Sequence, residues 1–265
     1  RKAKIIFFGT PNFAIPTLKC LINSKYSVLA IVTTPDKPQG RGNKIKYSAV
    51  KDFAISSGIK IFQPENLDKK EFYTKLIDFK ADLFVVVAFS KIPKKIWSIP
   101  KHGTFNLHAS LLPQYRGAAP IHWSIINGER ESGLTTFFIN EKIDNGDILY
   151  QKKIKIESND CMGTLEKKMM SKSGEIVLKT INAVMTGKIT PIKQLRNTNL
   201  KKAPKLNKEN TKIDWKQSGL RISNFVKGLN PKPCAWTYVF FGNVKLKAKI
   251  KEIYYENCEP SAECG

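Results

Sequence analysis

Residues 82–88 read DLFVVVA, an unbroken β-branched and aromatic run. A strand that faces water on one side alternates apolar and polar residues; a run without alternation is expected of a strand covered on both faces. Short β-rich runs on either side of it alternate with amphipathic segments. Strands are expected at 4–9, 27–33, 59–62, 103–108, 135–139 and 148–156. Helices are expected at 12–23, 49–57, 71–79, 118–127 and 162–185. That βαβα order implies an α/β fold built on a doubly wound, mainly parallel, Rossmann-like sheet. In such sheets ligands sit beyond the carboxyl ends of the strands.

After Gly187 the pattern changes. The stretch 188–205 is polar, lysine-rich and punctuated by Pro191 and Pro204, as a linker is. Beyond it a short helix is expected at 213–226. Residues 235–241 and 244–255 then read as a hairpin around Gly242-Asn243. The chain therefore divides into an α/β domain over 1–188, a linker over 189–206 and a smaller β-rich domain over 207–265.

The 265 residues carry a formal net charge of +23, which favours a polyanionic partner. Lysine, asparagine and isoleucine are all abundant, so charge alone leaves a nucleic-acid site and a merely solvated face equally open. Five cysteines with no Cys-x-x-Cys and no Cys/His spacing imply reduced thiols and no metal site. No apolar run approaches a membrane span, and Ile5–Phe8 is too short for a signal peptide before Gly9-Thr10-Pro11. A cytoplasmic monomer without membrane contact is expected. Gly9-Thr10-Pro11 also lacks the Gly-x-Gly-x-x-Gly spacing, which excludes a dinucleotide turn.

Asn106-Leu107-His108 ends an expected strand. Alternation points Asn106 and His108 at one spot at the strand's carboxyl end. A later loop, Lys142-Ile143-Asp144-Asn145-Gly146-Asp147, supplies a carboxylate before the next strand. Asn, His and Asp meeting there would suit attack of an amine on a formyl amide. Asn106 and His108 would donate to the developing oxyanion, each such donor contributing roughly 3–4 kcal/mol. Asp144 would favour a charged His108 or take up, through water, the proton that the amine loses. Asn-x-His alone is a weak signal. His102 and His122 read as structural, Asp147 as a turn residue, and Phe13 and Ile15 as helix-core residues or an apolar pocket lining.

The segment Asn106-Leu107-His108-Ala109-Ser110-Leu111-Leu112-Pro113 resembles the signature of the folate-dependent formyltransferases. The resemblance implies that Asn106, His108 and Asp144 are catalytic. It implies that Ser110, Leu111, Leu112 and Pro113 contact folate, and that Phe89 and Ile92, in the 88–93 segment, wall the pteridine pocket. The cosubstrate implied is 10-formyltetrahydrofolate, without a metal. Tyr115-Arg116-Gly117-Ala118-Ala119-Pro120-Ile121 resembles the family's branch that acts on methionyl-tRNA. Residues 35–44 are similar to that branch's loop for the tRNA acceptor end, which implies Lys37, Arg41 and Lys44 as tRNA contacts. Ile213-Asp214-Trp215 and Pro231–Trp236 resemble the branch's second domain, of oligonucleotide-binding (OB) type and expected here in truncated form. The partners implied are initiator methionyl-tRNA and a reduced folate, and the product is N-formylmethionyl-tRNA for translation initiation. A formyltransferase for a sugar nucleotide, a formyl-folate hydrolase and a nucleic-acid-binding module on the same fold are the rival readings.

Overall fold

The computed structural model describes residues 2–39, 44–195 and 199–256. The chain opens with strand Lys4–Gly9 (β1), a 3-10 turn at Asn12–Ala14, helix Ile15–Ile22 (α1) and strand Ser27–Val32 (β2). A hairpin of Lys37–Gln39 (β3) and Lys44–Lys46 (β4) precedes Ala49–Ser56 (α2), Lys60–Phe62 (β5) and Lys70–Asp78 (α3). Then come Leu83–Val87 (β6), Lys94–Trp97 (α4), Thr104–His108 (β7), Arg116–Gly117 (β8) and Pro120–Ile126 (α5). Glu131–Phe138 (β9) and Ile148–Lys155 (β10) lead into Met162–Met185 (α6). The remainder comprises Lys202–Ala203 (β11), Gly219–Leu229 (α7), Ala235–Phe241 (β12) and Val244–Ile250 (β13).

The main sheet runs β10-β9-β7-β6-β1-β2-β5. The five strands from β5 to β7 are parallel, and β9 and β10 add an antiparallel edge. β6, the unalternating run, lies between β1 and β7 with all five residues buried. The chain builds β2 and β5 on one side of β1 and then crosses to β6 on the other. The carboxyl ends of β1 and β6 therefore flank a topological switch point, where such sheets leave a crevice.

Alternation sorts the strand residues into two layers. Ile5, Phe7, Val85, Val87, Phe105 and Leu107 pack with Leu18 of α1, Ile121 of α5 and Val177 of α6. Ile6, Phe8, Phe84 and Val86 pack on the other face with Phe72 and Leu76 of α3 and Ile96 of α4. Each such side chain contributes roughly 1.5–3 kcal/mol by leaving water. The second layer takes no residue from β7. Asn106 and His108 lie on that face at the carboxyl end of β7, where they border a cavity.

The start of α6 is fixed by Asp160, whose residue is only 5% exposed. Its carboxylate accepts from the Glu157 amide at 2.8 Å and the Thr164 hydroxyl at 2.8 Å, and pairs with Lys168 at 2.5 Å. Burial pushes its pKa up, but these donors outweigh burial and hold it below the ordinary carboxylate value. A depressed folded pKa stabilises the fold above the unfolded value of about 3.9 and ceases to as pH falls through the folded one. Asp160→Ala is expected to cost about 2–3 kcal/mol at pH 7. Thermal unfolding should show that difference shrinking as the pH is lowered below about 4; a difference independent of pH would contradict it.

Three local expectations are corrected. The strand expected at 135–139 begins at Glu131, because pairing with β10 carries it four residues further back. The helix expected at 213–226 begins at Gly219, capped by the Ser218 hydroxyl; Ile213 instead pairs its amide with the Trp236 carbonyl at 2.8 Å. The second hairpin strand stops at Ile250. The described residues of the stretch expected as a linker make contacts with the α/β part at two places. Ile192 exchanges two backbone bonds with Ile148, at 2.8 and 2.9 Å, and β11 pairs in parallel with β8.

The C-terminal part has a small core of Ile213, Ile222, Val226, Leu229 and Ala235, joined by Ile126 of α5. Gly228 lets α7 approach α5 closely, since a methyl there would stand 2.5 Å from Ile126 and 2.9 Å from the His122 carbonyl. β12 and β13 form one antiparallel hairpin, the antiparallel element of the C-terminal part. Among those residues no helix is long and apolar enough to cross a membrane, and no group of three His, Cys, Asp or Glu is placed to hold a metal.

Candidate active site

A cavity of about 620 Å³ opens at the switch point, within the range that small-molecule sites occupy. Asn106 and His108 enter it from the end of β7, and Asp144 from the loop between β9 and β10. The three expected side chains thus meet in one place. His108 is 6% exposed, and its Nδ1 lies 3.8 Å from Asp144 Oδ2. That exceeds a direct hydrogen bond and matches a pair that shares a water or a substrate atom.

The other His108 nitrogen settles its tautomer. Nε2 lies 2.8 Å from the carbonyl oxygen of Tyr115, which can only accept, so Nε2 carries a proton. Nδ1 is then the nitrogen turned toward Asp144, a donor when the ring is charged and a lone pair when it is neutral. Asp144 sits at φ 50°, a left-handed conformation that Asp tolerates better than most residues, and its Oδ2 accepts from the Gly117 amide at 2.9 Å. The Asn106 amide finds no side-chain partner among the described residues and stays available to a ligand.

The apolar wall comes from the 88–92 segment. Ala88 turns the chain at φ 50°, and Phe89, Ser90, Lys91 and Ile92 all border the cavity. The Phe89 ring is held edge-on by Phe8, with centroids 5.6 Å apart. Phe89 and Ile92 therefore form part of the cavity's apolar wall. Ser110, Leu111, Leu112 and Pro113, expected beside folate, follow β7 in the loop next to the cavity and are not among the residues that line it. The Ser110 hydroxyl donates to the Gln114 carbonyl, the Leu112 amide donates to Thr135 Oγ1, and the Leu112 carbonyl accepts from Gln151. These four residues shape the loop that brings the Tyr115 carbonyl back to His108.

Four further residues at or beside the site were given no role there by the sequence. His122, expected to be structural, and Glu166 of α6 both line the cavity. Burial lowers the His122 pKa against the pull of the Lys232 carbonyl, and burial raises that of Glu166. Arg116 and Gln194 bond to one another next to Asp144. Each is an isolated polar residue, and nothing in spacing would have found it. Phe13 serves both of its expected roles, packing in the core and bordering the cavity, whereas Ile15 only packs.

Of the expected tRNA contacts, Arg41 lies outside the described residues. Lys37 and Lys44 lie on the backbone of β3 and β4, a hairpin separate from the main sheet. Its base is fastened by Asp36, which pairs with Lys51 and accepts from Gln63 at 2.7 Å.

A family model described as formyl transferase matches residues 3–181, and one for the formyl transferase C-terminal domain matches residues 205–265. The chain belongs to the formyl transferase family. The methionyl-tRNA formyltransferase of Flavobacterium johnsoniae is 47% identical over 251 residues, spanning 95% of this chain and 80% of that protein. That of Bacteroides fragilis is 46% identical over 237 residues, spanning 88% and 73%. Among solved structures, this formyl transferase shares its fold with WlaRD, a sugar 3N-formyl transferase crystallised with dTDP and 5-N-formyl-THF. The TM-score is 0.66 at 22% identity, over 95% of this chain and 96% of that one. HypX from Aquifex aeolicus, in complex with tetrahydrofolic acid, gives 0.64 at 19% identity over 89% of this chain and 36% of its own.

Proposed function

We propose that this formyl transferase moves the formyl group of 10-formyltetrahydrofolate to the free amino group of methionyl-initiator tRNA, producing N-formylmethionyl-tRNA for translation initiation. The observation that carries the reading is the convergence of Asn106, His108 and Asp144 at the carboxyl end of β7, beside an apolar wall. The names of its relatives support the choice of acceptor.

Phe89, Ile92 and the neighbouring backbone would hold the folate ring, a flat group that suits an apolar, largely preformed cavity. When bound, the folate supplies the formyl carbon and a nitrogen leaving group. Asn106 donates its amide N–H to the negative charge that develops on the formyl oxygen. A charged His108, held by the Tyr115 carbonyl at Nε2, donates from Nδ1 to the same oxygen. Asp144 accepts, through a water, the proton that the amine loses as its N–C bond forms. A proton is returned to the folate nitrogen as the old C–N bond breaks, so charge balances over the cycle.

Residues 1–188 act as the catalytic domain, and residues 207–265 act with Lys37, Arg41 and Lys44 in holding tRNA. The hairpin supports this assignment. Trp236 and Tyr238 pack edge to face. Lys247 lies 4.1 Å from the Trp236 ring centre and Lys245 4.0 Å from that of Tyr238. Phe240 and Phe241 are exposed beyond them. Trp236 is buried and anchors this face, while the cations beside Tyr238 and the exposed Phe240 suit a phosphate backbone and an unstacked base. Replacing Lys245, Lys247 and Lys212, which lies 5.4 Å from the Tyr238 ring centre, together with alanine should weaken tRNA binding and flatten the slope of log K against log salt by about 2–3. An unchanged slope would remove this face from the tRNA contact.

The acceptor is tested by competition. With 10-formyltetrahydrofolate as donor, methionyl-tRNA should outcompete amino-sugar nucleotides and free methionine, and uncharged tRNA should gain no formyl group. Preference for a small amine would sink the reading.

A further inference from the structure

We propose that Gln194 is a positioning residue for catalysis, and that the segment between the two domains is a strap holding the catalytic groups in register. The inference rests on the assignment of Asp144 and His108 above. The Gln194 side-chain amide faces three ways. Its Nε2 donates to the Asp144 carbonyl at 3.0 Å and to the Gly146 carbonyl at 2.7 Å. Its Oε1 accepts from Arg116 Nε at 3.0 Å and Nη2 at 2.5 Å. The partners leave one orientation for the amide, because two carbonyls require its NH₂ and a guanidinium requires its oxygen. One side chain thereby ties together the loop that carries the Asp144 carboxylate and the strand β8 whose Gly117 amide holds that carboxylate.

The loop needs such a tie. Asp144 sits in the left-handed region, a conformation that persists where its surroundings over-determine it. The strap supplies that constraint within the loop through Gln194 and just past its end, where Ile192 bonds Ile148. Further along, the same segment holds His108 indirectly. The Lys201 carbonyl accepts from the Tyr115 amide at 2.7 Å, and Lys201 Nζ pairs with Glu129 at 2.5 Å. Glu129 in turn accepts from the Tyr115 hydroxyl. Tyr115 is thus pinned at both ends, with its carbonyl aimed at His108 Nε2. A positioning error of about 1 Å can cost 10²-fold in rate without touching substrate affinity.

The test is steady-state formyl transfer from 10-formyltetrahydrofolate to methionyl-tRNA by the full chain carrying Gln194→Ala or Gln194→Met, with Asp144→Ala measured beside them. Gln194→Met keeps the side chain's length and removes its donor, which guards against a merely collapsed loop. The expected result is a kcat lowered about 10- to 100-fold in both variants, with KM for folate and tRNA within about threefold of the parent. Turnover equal to the parent in both, while Asp144→Ala is inactive, would overturn the role of Gln194 and leave the catalytic assignment standing. A raised KM with unchanged kcat would overturn it too, since that marks substrate docking. Parent-like turnover in Asp144→Ala would remove the assignment itself, and the strap's role with it.

Discussion

Replacing His108 with alanine is expected to lower kcat for formyl transfer about 10³-fold while leaving tRNA affinity nearly unchanged. The imidazole sits in the one place where a proton on Nε2 is fixed by the Tyr115 carbonyl and Nδ1 is turned toward Asp144. Losing an oxyanion donor removes about 10²–10³ in rate, and losing general acid–base help removes a further factor. The stability effect is separate and smaller. The Tyr115 carbonyl loses its partner, at a cost of about 1–3 kcal/mol. Asp144→Ala should depress turnover comparably. The double variant should be little worse than either single one, because residues that act as a unit are not additive. A large loss of tRNA binding with normal turnover would contradict these roles.

The second large effect is expected from a glycine that touches no substrate. A methyl added at Gly146 would stand 1.6 Å from the Phe138 carbonyl oxygen and 2.8 Å from its carbon. Both are backbone atoms at the end of β9, where the Phe138 amide also bonds the Asp147 carbonyl at 2.9 Å. No flexible side chain is there to give way, so in Gly146→Ala the loop must move, and Asp144 with it. Turnover should fall by about 10²-fold or more, with the melting temperature lowered by several degrees. Wild-type kinetics in Gly146→Ala would mean that the loop's position does not govern the reaction.

The sheet was legible because its central strand needs no partner to be recognised. LFVVV can be satisfied only between two covering layers, and β6 is buried along its whole length. Asn106 and His108 were legible as a pair because a period of two fixes the face that they share. The contacts of the segment before the C-terminal part were not, because they are made mostly by main-chain groups at Ile192, Lys201 and Ala203, with one glutamine and one lysine side chain. Neither leaves a pattern in a lysine-rich, proline-punctuated stretch. Ser110–Pro113 was legible only as a motif; what the structure adds is how the loop is held, by the Ser110 hydroxyl on the Gln114 carbonyl and the Leu112 amide on Thr135. The helix placed too early at 213–226 followed apolar spacing through Ile213, whose amide belongs to Trp236; the hydroxyl cap at Ser218 was the better signal.

The central claim is that three side chains from two distant stretches deliver a formyl group to an amine and keep it from water. Single-turnover transfer with 10-formyltetrahydrofolate labelled in the formyl carbon, and with methionyl-tRNA as acceptor, tests it most directly. Label should be recovered as N-formylmethionine on hydrolysis of the tRNA ester, one per folate consumed. Recovery of the label as free formate, or no consumption of folate, would contradict the account.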